Sequence, residues 1–145
     1  MNGTAPPNAT LVLAAALDAI AALLHLAVIA GGPAWYRFFG AGERMARLAG
    51  ARRWEPTVIT LAIAGVLASW GLYALSGAGV LRPLPWRAPV LCAITAVYLL
   101  RGLAIVPALV RPRGPATGFW IWSSVICLGF GIVHLAGVVQ RWDAL

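Results

Sequence analysis

The chain has 145 residues, 61% of them hydrophobic and 10% charged, with eleven basic residues against four acidic ones and a formal net charge of +7. That balance excludes an ordinary water-soluble domain and points to a chain solvated by a bilayer. The positive charge does not read as a nucleic-acid footprint, and no nucleic-acid partner is expected: all eleven basic residues are arginine, and ten of them lie in segments that flank apolar runs, where they orient a membrane protein.

Four apolar runs, about 10–30, 56–76, 89–110 and 118–140, each reach the roughly 20 residues needed to cross a hydrocarbon core of about 30 Å. The connections between them are too short to fold alone. The expected fold is therefore an all-α integral membrane protein, a four-transmembrane-helix bundle in a single domain over residues 1–145, with a short amphipathic interfacial segment between helices 1 and 2. Exclusive use of arginine, with abundant Ala, Gly and Pro, suggests a GC-rich bacterial genome and so a multi-pass protein of the bacterial inner (cell) membrane. No Lys or Arg precedes the first run and further spans follow it, so it reads as a retained helix and not a cleaved leader. The acceptor patterns Asn2-Gly3-Thr4 and Asn8-Ala9-Thr10 carry little weight in a bacterium.

The first span contains Asp18 and His25, which are seven positions apart and so lie within about 20° of each other on a helix, flanked by Ala14, Ala21 and Ala22. Gly31, Gly32 and Pro33 are expected to end it. The following connection is the most basic, with Arg37, Arg44, Arg47, Arg52 and Arg53 against Glu43 and Glu55. Its Trp35, Tyr36, Phe38 and Phe39 suit headgroup depth, and residues 43–48 read as a short surface helix, an interfacial anchor in preference to a ligand-binding loop. The second span opens at Pro56, a favoured first helical residue. Thr57, Thr60, Ala64, Ala68 and Gly71 share one side of it, while Gly65 and Ser69 form a small-xxx-small pair on another. GAGVLRPLPWR is a loop, after which Pro89 opens the third span.

Arg101 stands near the middle of that third span with no other charge in the run. A lone arginine at mid-bilayer costs at least about 2.5 to 3.5 kcal/mol, so it demands a partner. Tyr98 lies one turn away, and Pro107 predicts a kink beyond it. After the loop RPRGPAT, the fourth span places Ser123, Cys127, Gly131 and His134 within about 80° of arc. The Ser, Cys and Gly positions read as close helix packing, whereas His134 is retained as a candidate site residue.

Counting arginines sets the orientation. The first loop has five and the third has Arg111 and Arg113, against Arg82, Arg87 and Arg141 on the other side, so both termini are expected in the periplasm. Trp54, Trp120 and Trp122 then mark the inner interface, with Trp86 and Trp142 at the outer one. A rise of about 1.5 Å per residue puts His134 roughly 9 Å below the outer surface, Asp18 roughly 12 Å, Arg101 roughly 18 Å and His25 roughly 22 Å. Asp18, the one carboxylate inside a span, is the expected counter-ion of Arg101, a pairing that serves structure as readily as function.

The same depths argue against cofactors. His25 and His134 differ by about 13 Å, too far to share a haem iron. Cys92 and Cys127 lie in opposite halves of the bilayer, beyond disulfide reach. Without a His/Cys/Asp cluster no metal ligands are assigned, and no nucleophile or phosphate-loop motif is present. The expected ligand-binding residues are thus Asp18, His25, Tyr98, Arg101 and His134, lining a site among membrane lipids that binds or transports a small amphiphilic or anionic ligand, or protons. Two alternatives stand beside this: an accessory or structural subunit, as a homo-oligomer or within a membrane complex, and a membrane-embedded lipid- or isoprenoid-modifying enzyme using Asp18 or His134 as acid or base. The non-enzymatic readings are preferred, since only one intramembrane carboxylate is available. Reporter fusions test the orientation: an alkaline phosphatase tag should be inactive after Gly42 and active after Leu145, and the reverse pattern would overturn it.

Overall fold

A bilayer offers no water to the backbone, so apolar runs of this length are confined to helix. The computed structural model of the chain describes residues 6–104, 106 and 117–145, and its regular elements among them are helical. They are α1 (Ala9–Phe38), α2 (Glu43–Gly50), α3 (Glu55–Ala78), α4 (Arg87–Leu103) and α5 (Thr117–Arg141), with a closing 3₁₀ turn at Trp142–Ala144. Three stretches are long and apolar enough to cross a membrane: Ala9–Phe38, Glu55–Ala78 and Gly118–Ala144. Their outward faces carry large apolar side chains such as Leu23 (64% exposed) and Val139 (66%), a surface suited to lipid and not to water. α4 has 17 residues, about 26 Å of helix. The rest of the expected third span, including Pro107 and its kink, lies outside the described residues.

Two compact units divide the chain, Asp18–Ser69 and Met1–Leu17 with Trp70–Leu145. In the first, the expected stop at Gly31-Gly32-Pro33 is instead a bend. Gly32 adopts φ 64°, ψ −153°, a conformation open to glycine, and the chain resumes helix through Phe38. Pro33 permits this because a missing N–H costs little in the first turn of the resumed helix. The resumed turns carry Tyr36, which is buried with Val28 and Ala46, while Phe39, Met45 and Ala49 pack around them. α2 is thus amphipathic, with Ala46 buried and Arg44 and Arg47 exposed. Thr60 Oγ1 donates its proton to the Pro56 carbonyl at 2.8 Å, so at the 3.2 Å contact between Tyr36 and Thr60 the phenol is the donor. Arg37 makes two bonds to Glu43, at 2.9 and 3.0 Å, across the turn before α2. Those bonds hold the Glu43 carboxyl below its ordinary range.

Both α2 and α3 end in the same hydrogen-bond pattern. At α2, Arg53 N–H bonds Leu48 O and Arg52 N–H bonds Ala49 O; at α3, Val80 N–H bonds Leu75 O and Gly79 N–H bonds Ser76 O. This is the Schellman closure, whose left-handed residue is ordinarily glycine. α3 uses Gly79 at φ 83°, whereas α2 uses Arg52 at φ 52°.

In the second unit, Asn8 caps α1 by accepting from Leu11 N–H at 2.8 Å, and its side-chain amide donates to Gln140 on α5. Thr10 donates to the same Gln140 oxygen, so the Asn8-Ala9-Thr10 pattern serves the fold. Ser76 Oγ donates to Arg82 O and accepts from Leu84 N–H, shaping the Gly- and Pro-rich loop. Arg87 then reaches the carbonyls of Ser76 and Ala144. A left-handed arginine costs about 1 to 2 kcal/mol relative to glycine, so Arg52→Gly should raise stability by roughly 1 kcal/mol. A β-branched Arg52→Val should lower it, as thermal unfolding in detergent would read.

Candidate functional site

α4 and α5 run antiparallel at close range because glycines remove side chains where the helices meet. A Cβ on Gly102 would stand 2.8 Å from the Leu128 backbone, and one on Gly131 would stand 3.0 Å from Leu99 N. Of the small residues on the fourth span's stripe, Gly131 serves packing, and with Gly102 it fixes a register in which Gly102 faces Leu128 and Leu99 faces Gly131.

In that register the Arg101 backbone lies level with about Gly129, yet the guanidinium does not stay there. It donates to Ser124 Oγ at 2.9 Å and Ser123 Oγ at 2.8 Å, and it lies 4.7 Å from the Trp120 ring centroid. Its head has therefore travelled about 8 Å along α5 toward the end marked by Trp120 and Trp122. The charge therefore sits nearer the Trp120 end of the pair than the Arg101 backbone does. Two hydroxyls and a cation–π contact satisfy the guanidinium geometrically, but all three partners are neutral, so the positive charge is retained.

Toward the other end of the same helix pair, buried Tyr98 packs edge-on against Trp70 (5.1 Å between centroids) and Phe130 (5.4 Å), and its ring lies 5.2 Å from that of His134. His134 is fully buried. Its Nδ1 lies 3.0 Å from the Phe130 carbonyl, which only accepts, so Nδ1 carries a proton. His25 is fixed in the same way, Nδ1 to Ala21 O at 2.8 Å.

Of the five residues singled out by sequence, α4 and α5 bring Tyr98 and His134 into contact and hold Arg101 farther along the same pair. Asp18 and His25 belong to the other unit, where Asp18 is fully buried and His25 half-buried. Cys92 and Cys127 carry free thiols. Sequence reasoning assigned Ser123 to packing and Trp120 to an aromatic belt, and it passed over Ser124, Trp70 and Phe130. The available signal was the Ser123-Ser124 pair one arginine-length from Arg101 in an antiparallel register. Comparison with known proteins finds no matching family model, no similar curated protein and no similar solved structure.

The packing is directly testable. Gly102→Ala should destabilise by about 1 to 3 kcal/mol through overpacking. Gly129→Ala, where an added methyl meets nothing within 4 Å, should be neutral or stabilise by up to about 1 kcal/mol. Equal melting temperatures for the two variants in detergent would refute this register.

Proposed function

We propose that the protein is a four-span bundle of the bacterial inner membrane, with both termini periplasmic, that binds or carries a small anionic amphiphile. The observation that supports this reading is the Arg101 cation: its described partners are hydroxyls and an indole, none of which neutralises it. An uncompensated intramembrane charge is costly unless an anion meets it, and intramembrane ionisable residues mark ligand and ion pathways. The head group of the ligand, a carboxylate or phosphate, pairs with the guanidinium, which presents further N–H donors beyond those on Ser123 and Ser124. The apolar tail lies along lipid-facing side chains such as Leu100, 69% exposed one residue away. Tyr98 and His134 form the aromatic wall toward the other end of α4 and α5.

Oleate titrated into the detergent-solubilised protein tests the reading. Arg101→Gln should weaken binding at least tenfold, and Arg101→Lys, a point charge without the planar fork, should weaken it less. Unchanged oleate affinity in Arg101→Gln would overturn the proposal. A second reading, an accessory subunit, is favoured by the outer face of α3, where Gly65 has open space around it and Ser69 is exposed. On that reading Gly65→Leu abolishes co-purification of a partner helix and leaves oleate binding intact.

A further inference from the structure

The unit formed by Asp18–Ser69 contains a cleft of about 300 Å³ whose lining residues all belong to that unit. It opens beside the α1 bend, where Gly32 leaves space that no neighbouring atom fills within 4 Å of an added Cβ. Its walls are of two kinds. Ile29, Tyr36 and Val58 supply apolar lining, and the consecutive Arg52, Arg53 and Trp54 supply a basic, aromatic lip.

The lip is unevenly charged. Arg53 is bound to Glu55 at 2.9 Å and so is neutralised. Among the described residues nothing pairs with the Arg52 guanidinium, so the lip carries one uncompensated positive charge. Arg52 also occupies the left-handed closing position of α2, where Gly79 serves the matching role in α3. A strained residue held against its own preference is a signal to look for function, and here the strained side chain is the one that lines the cleft. Trp54, 67% exposed, adds an indole of the kind that sits at headgroup level.

We infer that this cleft holds the phosphodiester headgroup of an anionic membrane phospholipid, with Arg52 on the phosphate, Trp54 at the glycerol level and an acyl chain continuing along Ile29 and Val58. One net positive charge matches a monoanionic phosphodiester. The apolar lining favours a lipid over free phosphate, and the arginine lip disfavours the cationic head of a zwitterionic lipid. This site shares no residue with the amphiphile site at Arg101 and stands or falls independently of it.

The experiment is an intact-mass titration of the full chain in detergent with phosphatidylglycerol, phosphatidylcholine and inorganic phosphate. Arg52→Gly and Arg52→Asn both suit a left-handed backbone, so both should fold, with melting temperatures no lower than that of the unaltered chain. Each should weaken phosphatidylglycerol binding about tenfold, the scale of one lost charge-assisted contact. Arg101→Gln should leave that binding unchanged while losing oleate. The inference is overturned if both Arg52 variants retain full affinity, if phosphatidylcholine binds as tightly as phosphatidylglycerol, or if inorganic phosphate displaces the lipid. A loss in Arg101→Gln alone would assign the lipid to α4 and α5 and equally overturn it.

Discussion

The placement of the Arg101 charge is the constraint on which the α4 and α5 pair depends. A guanidinium among apolar side chains must hydrogen-bond, and its reach of several ångströms lets it choose where along the helix pair to do so. It meets Ser123, Ser124 and the Trp120 ring. That choice requires the two helices to be close, and closeness requires glycine at Gly102 and Gly131. The glycines of one helix pair and the arginine within it are therefore parts of one arrangement: without the small residues the backbones would separate and the serines would fall out of reach.

Several other polar residues of the helices follow a different pattern. Thr60 donates to Pro56 O, Ser69 to Val66 O and Thr95 to Leu91 O, while His25 meets the carbonyl four residues earlier. Bonding back to the same helix lets a polar side chain enter an apolar segment without a partner helix or ligand. A hydroxyl inside a span is thus weak evidence for a site. Arg101 differs in that its charge is not cancelled by anything its own helix supplies, and Arg52 in that a charge unpaired among the described residues is joined to a left-handed backbone and a cleft.

The interfacial segment shows how a helix breaker serves construction. Gly32 turns α1 aside and Pro33 restarts it, which brings Tyr36 onto Thr60 and lets Ala46 of α2 pack beneath. The same bend leaves the cleft lined by Arg52 and Trp54. A straight, early-ending helix would have produced neither the buried Tyr36 nor the cavity.

The amino-acid sequence alone determined the membrane class, the places of the helices and the amphipathic segment, because bilayer thickness and backbone hydrogen bonding leave an apolar run of about 20 residues one solution. Observed limits differ from expected ones by a few residues, except at Gly32, where sequence shows a break but not whether helix resumes, and at the end of the third span, which lies outside the described residues. What only the tertiary structure decided is which polar groups act together. Ser123 could be called packing and Trp120 a belt residue until the antiparallel register of α4 and α5 brought both to Arg101. The strain at Arg52 was likewise invisible, since a left-handed φ is imposed by the closure of α2 and leaves no mark in the residue itself. Periodicity is a local property of the chain. The position of a long side chain's charge is set by what the neighbouring helix offers, and that is known only when the helices are packed.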